Sequence, residues 1–424
     1  MIKEFKQISN VFSVGEYCIE DSMNHSNKFF EAIGINACDN KSLKSFAKKS
    51  EISEKKLKYY NENNILPVGN DLNSIVETAQ ISEIYLRLRM GIIDHAILGL
   101  LQSSAQEISS LICNQLTPKH AHTNPIKPDF ETDLGRLYQS DCINFLKTVE
   151  NESIDMIFAD PPFNLSKLYP SEIDDNLKAE KYLKWCEEWL YQCARILKPG
   201  GSIFVWNLPK WNSALTSYLN NYLTFRHWIA ADIKYSLPIQ GRLYPSHYSL
   251  IYYVKGDKPR VFHPDRLPMQ VCPKCFGDIK DYGGYKDKMN PLGVNLSDVW
   301  YDIPPVRHAK YKRREGSNEL SLKLLDRIIE MSTDEGDIIL DPFGGSGTTY
   351  MAAELKNRKW IGCEIGPLDV VVDRFKLIEE EKEILSSYRM NLNSLFPEKI
   401  KKQREKLGHW TCDTVKKKDK LTKT

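Results

Sequence analysis

Short apolar runs alternate with amphipathic stretches from about residue 129 onwards. Buried strands are predicted from the runs at 154–159, 203–206, 248–254, 338–340 and 360–365. Helices are predicted at about 182–197 and up to about Lys356, and Lys-Pro-Gly-Gly at 198–201 predicts a turn. Strands that alternate with helices predict an α/β fold, with a mainly parallel sheet and helices on both faces.

The N-terminal part of the chain has helical spacing instead. Two short helices are predicted on either side of a break at 50–52, with Ser53 as the N-cap of the second helix. The pattern predicts a small helical N-terminal domain at 1–115 with a candidate helix-turn-helix at 42–67. Apolar residues at 81–116 predict a helical connector or a dimer surface. The alternative for the helix pair is an ordinary hairpin with solvated lysines.

The loop Asp160-Pro161-Pro162-Phe163 follows the first buried run directly. The Asp160 carboxylate and the Pro161 carbonyl are both acceptors, so together they can take both hydrogens of an exocyclic amine. Accepting both hydrogens directs the nitrogen lone pair towards an electrophile. Because Phe163 can stack on a flat ring and the prolines stiffen the loop, the stretch predicts a nucleobase pocket. The alternative is a proline-rich turn capped by an aspartate.

A glycine-rich loop follows the run at 338–340. Its glycines let the backbone approach a ligand closely, and an acid at the strand end can face a positive charge. Because no lysine follows Gly347, a phosphate-gripping P-loop is not indicated, and the third glycine of the dinucleotide fingerprint is lacking. The loop predicts a nucleotide-type cofactor that is not held by phosphates. The candidate cofactor-binding residues are Asp341, Phe343, Gly344, Gly345, Ser346, Gly347 and Thr348, with Glu364 about 20 residues downstream for ribose hydroxyls.

The two loops together resemble those of the DNA amino-methyltransferases, which use S-adenosylmethionine. The motifs are Asp-Pro-Pro-Phe at 160–163 and Asp-Pro-Phe-Gly-Gly-Ser-Gly-Thr-Thr at 341–349, and their order is similar to the permuted beta class. The resemblance covers about 129–397 and implies a Rossmann-like methyltransferase fold. In that family an acid at the position of Asp141 lies near the cofactor's adenine, although a helix N-cap explains Asp141 equally well.

The resemblance also implies the reaction. It implies methyl transfer to adenine N6 in duplex DNA, with the base flipped out of the stack. N4 of cytosine is the nearest alternative acceptor, because the same chemistry serves any aromatic amine. In the family, serine often replaces the leading aspartate in N4-cytosine enzymes, so Asp160 favours adenine.

The stretch at 59–67 is similar to part of the N-terminal DNA-binding module of MerR-like regulators. Glu51 departs from that pattern, since a turn glycine is usual at its position. A regulator that keeps the methyltransferase fold without activity is therefore an alternative function, although both acidic motifs are intact.

Aromatic and basic residues mix between 255 and 319, where the permuted group places its target-recognition region. Basic clusters supply phosphate contacts, while a few side chains read base edges. A solvated surface loop is the alternative. The candidate DNA-binding residues are Lys286, Arg307, Lys310, Lys312, Arg313 and Arg314.

The domain boundaries follow from these patterns. They are a helical region at 1–115, a linker at 116–128, the first catalytic part at 129–254, target recognition at 255–319, the second catalytic part at 320–397 and a basic tail at 398–424.

Composition and charge bear on where the protein is expected to be found and on what it is expected to bind. The 424 residues carry a formal charge of only +2, so a nucleic-acid surface must come from local clustering. Ten scattered cysteines and the lack of an apolar signal core near Met1 predict a reduced cytoplasm, and no stretch is long enough to span a membrane. Cys272 and Cys275 form one knuckle, too few ligands for structural zinc. The expected partners are double-stranded DNA, a cognate restriction endonuclease and a second copy of the chain.

Overall fold

A computed structural model describes residues 28–36, 40–113, 127–164, 177–232, 240–241, 243, 245–272, 274, 279–281, 283–285, 288, 290, 293–304, 319–392, 398–409 and 411. The chain divides into two compact units, Met1–His122 with Asn164–Trp185, and Thr123–Phe163 with Cys186–Thr424.

The first unit is helical in its described N-terminal part. Its helices are α1 Lys28–Ala32, α2 Asn40–Ser50, α3 Glu54–Glu62, α4 Asn70–Ala79, α5 Glu83–Met90, α6 His95–Ser103 and α7 Ala105–Cys113. Phe29, Leu57, Ile75 and Leu86 are fully buried and form the centre of its core. A small apolar core of this kind lets a short helical domain bury one stripe of each helix.

The predicted pair of short helices is present as α2 and α3. Ser53 caps α3, since its side chain accepts a hydrogen bond from the Lys56 backbone N–H at 3.3 Å. Glu51, in the turn, has a left-handed φ of 56°, the conformation for which glycine is usual. The backbone thus makes the tight turn at Glu51 although the residue there is not glycine.

The second unit is built on a sheet. The strands of the described residues are β1 Phe130–Glu131, β2 Gly135–Gln139, β3 Ile154–Ala159, β4 Leu197–Asn207, β5 Thr224–Asp232, β6 His247–Val254, β7 Arg266–Leu267, β8 Val294–Asn295, β9 Val299–Trp300, β10 Ile338–Asp341 and β11 Lys359–Glu364. Nine of these described strands form one sheet in the order β1-β2-β11-β10-β3-β4-β6-β5-β9.

Parallel pairing dominates the centre of this sheet. Strands β2, β11, β10, β3 and β4 are parallel neighbours, whereas β6 pairs antiparallel with both β4 and β5. Every residue of β3 is buried, as expected for a central parallel strand covered on both faces. The predicted α/β fold with a mainly parallel sheet is confirmed.

The described residues after β2 also form eight helices. They are α8 Cys142–Thr148, α9 Ala179–Ile196, α10 Pro209–Leu219, α11 Leu322–Ser332, α12 Thr348–Leu355, α13 Asp369–Lys376, α14 Ile378–Met390 and α15 Glu398–Lys406. The division into units falls at Trp185, inside α9. In the part of the chain that the structure describes, every helix is too short or too polar to cross a membrane.

The prediction of a turn at 198–201 is wrong. Strand β4 begins at Leu197 and continues through both glycines, with a register shift against β3. The Gly200 N–H donates to the Lys255 carbonyl at 2.7 Å, and the Lys255 N–H donates to the Gly201 carbonyl at 3.0 Å. Because Gly200 has a φ of 77°, the glycine pair forms an irregularity inside a paired strand rather than a reversal of the chain.

Part of the segment at 255–319 belongs to the main sheet. Val299 and Trp300 form β9, which pairs parallel with β5 at the sheet edge. Asp302 follows this strand and binds Arg327 of α11 through two hydrogen bonds of 2.8 and 2.5 Å. Val299–Asp302 is therefore fixed to the main sheet and to α11 by backbone pairing and a bidentate ion pair.

A stacked aromatic pair explains the glycines of the central strands. The Tyr350 and Trp360 rings stack with centroids 5.0 Å apart, and Tyr350 is fully buried. A Cβ atom on Gly362 or Gly344 would lie 2.5 Å from an atom of Tyr350, and one on Gly135 would lie 1.8 Å from the Trp360 ring. Glycine at these positions lets the backbone lie directly against the rings.

Gly362→Ala tests this packing. We expect it to destabilise the protein by about 1–3 kcal/mol, because the added methyl group overlaps the Tyr350 ring in a filled core. Equilibrium urea unfolding measures the change. Gly99→Ala is the matched control: no heavy atom lies within 4 Å of its added Cβ, and alanine favours the helix, so stability should stay equal or rise. Equal losses in both variants would contradict the packing argument.

Candidate active site

Four acidic residues lie at one edge of the sheet. Asp141, Asp160, Asp341 and Glu364 come at or just after the carboxyl ends of β2, β3, β10 and β11, four neighbouring parallel strands. Parallel strands end at the same edge, so residues far apart in sequence meet there. The structure thus brings the predicted catalytic loop and the predicted cofactor loop together.

The crevice at this edge lies between β3 and β10. After β3 the chain passes to β4 on one side, and after β10 it passes to β11 on the other side. The loops that leave these two strands therefore diverge. In open α/β sheets, ligands bind at such a switch point, outside the carboxyl ends of the strands.

The catalytic loop is fixed at Phe163. The Phe163 carbonyl accepts a buried hydrogen bond of 2.7 Å from the Trp211 indole N–H. The Phe163 ring is 7% exposed and packs against Tyr248, with centroids 5.9 Å apart. Asp160 and Pro162 are half-buried, whereas Pro161 is buried. A ring so covered offers a base only a small part of its surface.

Sequence reasoning missed Trp211 and Tyr248. Trp211 lies in the first turn of α10, whose Pro209 is a helix-start signal that could have been read from the sequence. Nothing in the local pattern shows that its indole reaches a carbonyl 48 positions earlier in the chain.

The cofactor loop turns most of its side chains inward. The Asp341 carboxylate is buried; one oxygen accepts from the Phe343 N–H at 2.9 Å and the other from the Thr349 hydroxyl at 2.5 Å. Ser346 and Thr348 are buried as well, and their hydroxyls lie 3.2 Å apart. These side chains hold the loop in shape and leave Gly345 on the outside.

The outward part of the loop is Gly345. Its φ of 51° is left-handed, it is exposed, and the nearest atom to an added Cβ is a carbonyl oxygen 3.9 Å away. Phe343 is half-buried, with its ring edge-on to Trp189 at 5.2 Å. Gly344 and Gly347 are buried. A ligand can therefore approach the loop backbone at Gly345 without meeting a side chain.

Glu364 connects the loop to the next strand. One carboxylate oxygen accepts from the Gly345 N–H at 2.7 Å and the other from the Gly366 N–H at 2.8 Å. A carboxylate offers about four lone-pair sites, so these bonds leave acceptor capacity for a ligand hydroxyl. Glu364 stabilises the loop in addition to its predicted role.

The electrostatics of the crevice favour a cation. Burial raises the pKa of Asp341 well above its ordinary value, and the negative charges of Asp160 and Glu364 add to that rise. A folded-state pKa above the unfolded value means that stability is lost as pH rises through that range. A cationic ligand beside these carboxylates would offset the repulsion.

Asp141 caps helix α8. Its carboxylate accepts from the Asn144 N–H at 3.0 Å, which is the capping role left open by the sequence. Gln139, the last residue of β2, is in register with Glu364 at the end of β11. Asp141 comes two residues after Gln139 and therefore lies at the same edge of the sheet. The cap does not conflict with a second role towards a ligand, which stays a prediction.

Most of the remaining predicted site residues are not among the described residues. Lys286, Arg307, Lys310, Lys312, Arg313 and Arg314 fall outside the described residues. Cys272 is half-buried and Cys275 lies outside the described part. Within that part, no cluster of His, Cys, Asp or Glu has the geometry of a metal site.

Comparison with known proteins places the site in context. Residues 154–369 match the DNA methylase family. The chain is 48% identical over 369 residues to Type II methyltransferase M.BamHI of Bacillus amyloliquefaciens, covering 86% of this chain and 87% of that protein. It is 30% identical over 243 residues to DNA adenine methyltransferase YhdJ of Escherichia coli (strain K12), covering 56% of this chain and 80% of that protein.

Solved structures are more distant. PvuII DNA methyltransferase (cytosine-N4-specific) aligns with a TM-score of 0.43 and 19% identity, covering 63% of this chain and 96% of that one.

Asp341→Asn tests the electrostatics of the crevice. In the wild type, the affinity for S-adenosylmethionine should rise with pH, because the buried carboxyl must lose its proton before it can attract a cation. At pH values where the wild-type carboxyl is ionised, the variant should bind roughly tenfold to a hundredfold more weakly, and the part of the pH dependence due to Asp341 should be removed. Calorimetric titration over a pH series measures both effects.

The control is Asp369→Asn, which removes an exposed acid at the start of α13. Its affinity and pH profile should match those of the wild type. A wild-type profile retained in Asp341→Asn would show that this carboxyl does not face the cofactor.

Proposed function

The chain belongs to the DNA methylase family, and from that membership we infer that it transfers a methyl group from S-adenosylmethionine to adenine N6 in double-stranded DNA. The observation that carries this inference is the juxtaposition of the Asp160 loop and the Asp341 loop at the switch point between β3 and β10. One loop fits an amine and the other fits a cationic nucleoside, so the two reactants would meet at one edge of the sheet.

The cofactor loop fits S-adenosylmethionine. Buried Asp341 would supply negative charge once it is ionised, open Gly345 would allow close backbone approach, and Glu364 keeps acceptor capacity for ribose hydroxyls. The sulfonium, when bound, supplies an electrophilic methyl group. The chain has little covalent chemistry to perform, so its contribution is orientation of two reactants.

The catalytic loop fits an aromatic amine. Asp160 and the Pro161 carbonyl would accept the two amine hydrogens and hold the nitrogen lone pair towards the methyl group. The target base must leave the duplex stack, which costs a few kcal/mol and calls for a pocket with edge and face contacts. Asp160 is half-buried at this edge of the sheet and would provide such an edge contact.

The acceptor base is proposed from two observations. The leading residue of the catalytic motif is an aspartate, and the relative YhdJ is named an adenine methyltransferase. N4 of cytosine presents the same two hydrogens to the same two acceptors, so methylation of cytosine N4 is the alternative that the assay must distinguish.

The test uses duplex DNA and S-adenosylmethionine labelled in the methyl group. After enzymatic digestion to nucleosides, chromatography should find the label in N6-methyladenine. Label in N4-methylcytosine would move the acceptor to cytosine and leave the rest standing. Label at a ring carbon, or no label, would overturn the proposed reaction.

The biological setting follows from the relatives. M.BamHI is named a Type II methyltransferase, and we propose that this chain likewise protects a short DNA sequence from a cognate restriction endonuclease. DNA methylated by the wild-type protein should resist a nuclease of the same specificity.

A second copy of the chain is a further proposed partner, because Leu98, Leu100 and Leu111 are exposed on the apolar helices α6 and α7. Analytical ultracentrifugation decides that point.

Asp160→Ala separates catalysis from cofactor binding. Turnover should fall by about a hundredfold or more, since Asp160 would act on the amine mainly in the transition state. Affinity for S-adenosylmethionine should change far less than turnover. Single-turnover kinetics and calorimetry on the same preparation supply both numbers. Normal turnover at saturating cofactor with greatly weakened cofactor binding would assign Asp160 to the wrong reactant.

The helix pair α2–α3 is proposed as a DNA-contacting helix-turn-helix. Lys44, Lys48, Lys55 and Lys58 are exposed on it, whereas Lys56 is paired with Asp71 at 2.5 Å. Basic groups that contact phosphates make binding salt-dependent.

Replacing Lys44, Lys48, Lys55 and Lys58 by glutamine should make the plot of log affinity against log salt shallower by roughly 0.9 for each phosphate that the variant no longer neutralises. Fluorescence anisotropy with labelled duplex DNA measures the slope. Glutamine at Lys376 and Lys382, each near an acid of its own helix, is the charge control and should leave the slope unchanged. Equal slopes in all three proteins would reduce the helix pair to a structural hairpin.

A further inference from the structure

Arg374 lies behind the cofactor loop. It is on α13, is 1% exposed, and its guanidinium contacts two residues of the loop. Its Nη1 donates to the Ser346 carbonyl at 3.2 Å and to the Thr348 hydroxyl at 2.6 Å. These two contacts flank Gly347, where the loop turns into α12.

Two buried carboxylates surround the same guanidinium. Glu319 lies 3.6 Å from Arg374 Nη1, and Glu381 lies 3.2 Å from Arg374 Nε. Their side chains are 5% and 3% exposed. Burying a cation is costly unless it is paired with opposite charge, and arginine cannot avoid that cost by losing its proton. The guanidinium is therefore held in one geometry by the acids and transmits that geometry to the loop.

Packing adds a second point of contact between α13 and the loop. A Cβ atom on Gly347 would lie 2.8 Å from Val371 Cγ1, and Gly347 has a left-handed φ of 72°. Helix α13 therefore contacts the loop at three consecutive residues. Val371 packs against Gly347, and Arg374 binds Ser346 and Thr348 on either side of that glycine. The loop cannot shift without breaking a buried charged contact.

The two acids differ in their place in the chain. Glu381 belongs to α14, the next helix of the same domain. Glu319 lies five positions after Arg314, the last of the basic residues predicted to contact DNA. One guanidinium therefore connects the cofactor loop to the described residue that follows the basic segment.

We propose that Arg374 is a positioning residue that holds the cofactor loop in its binding shape and, through Glu319, couples the affinity for cofactor to the affinity for DNA. This rests on the proposed function, because both ligands are those of a DNA methyltransferase. Coupling of this kind is reciprocal: DNA tightens the cofactor by the same factor by which the cofactor tightens DNA.

The positioning role is tested with Arg374→Lys. Lysine keeps the charge but has a single nitrogen, so it cannot contact the loop, as Nη1 of arginine does, and reach Glu381, as Nε does, at the same time. Affinity for S-adenosylhomocysteine, measured by calorimetry without DNA, should fall roughly tenfold to a hundredfold. The Michaelis constant for the cofactor should rise more than that for DNA.

Arg389→Lys is the matched control. Arg389 also bridges two buried acids, Asp265 at 2.7 Å and Asp326 at 2.6 Å, but these partners lie away from the cofactor loop, whereas Arg374 contacts Ser346 and Thr348 of the loop directly. Both variants should lose thermal stability, and only Arg374→Lys should lose cofactor affinity. Equal cofactor affinity in the two variants would show that Arg374 is structural only and overturn the proposal.

The coupling is tested with Glu319→Gln and Glu381→Gln. For each, the ratio of S-adenosylhomocysteine affinities with and without the duplex that the wild type methylates is compared with the wild-type ratio. The ratio should move towards one in Glu319→Gln and stay near the wild-type value in Glu381→Gln. Equal ratios in the two variants would overturn the coupling. If the wild type bound no S-adenosylhomocysteine, the proposed function itself would fail. That result is distinct from failure of the coupling, in which the wild type binds but the two variants give equal ratios.

Discussion

The pairing of β3 with β10 is the constraint on which the site depends. The strands lie far apart in sequence, yet Ile339 is in register with Met156 and Leu340 with Ile157. Buried Asp155 reinforces the pairing at the opposite end, where its carboxylate accepts from the Ile338 N–H at 3.0 Å and binds Lys198 at 2.7 Å. Because the chain leaves the two strands in opposite directions, the pairing opens a crevice at their carboxyl ends.

The loop at the crevice is supported by buried side chains that lie beneath it and do not line the crevice. The Tyr350 hydroxyl donates to the Asp341 carbonyl at 2.9 Å, beneath the loop, and the stacked Trp360 ring supports it. Glycine at 344 and 362 is required by these rings, whereas Gly345 is open to a ligand. The same sequence motif thus contains glycines with different physical tasks. Groups fixed in this way need little reorganisation when charge develops between the reactants.

The sequence predicted those features whose cause is local. The strands at 154–159 and 338–341 appear as apolar runs because central parallel strands are buried on both faces. The caps at Ser53 and Asp141 follow from side chains that bond backbone N–H groups three residues away. The motifs at Asp160 and Asp341 were recognisable because each is a short run of particular residue types directly after a predicted strand.

Features that depend on distant partners were not predictable. The turn expected at Gly200 is part of a strand because Lys255 pairs with it. The indole of Trp211 and the guanidinium of Arg374 find their partners only after the sheet has formed. Asp155 is the one charged residue in the run at 154–159, and its ion pairs with Lys198 and Arg260 explain its burial. All four features depend on contacts between residues that are far apart in sequence, and the local hydrophobic pattern contains no signal for such contacts.

A crystal structure with S-adenosylhomocysteine and a duplex carrying the methylated sequence would test the shared crevice most directly. The sulfur should lie between the carboxyl ends of β3 and β10, beside Asp341 and Gly345. The amine of an extrahelical base should lie within hydrogen-bonding distance of Asp160 and the Pro161 carbonyl, roughly 3–3.5 Å from the position of the transferred methyl group. A cofactor bound elsewhere, or a target base that contacts neither acceptor, would contradict the assignment of both loops.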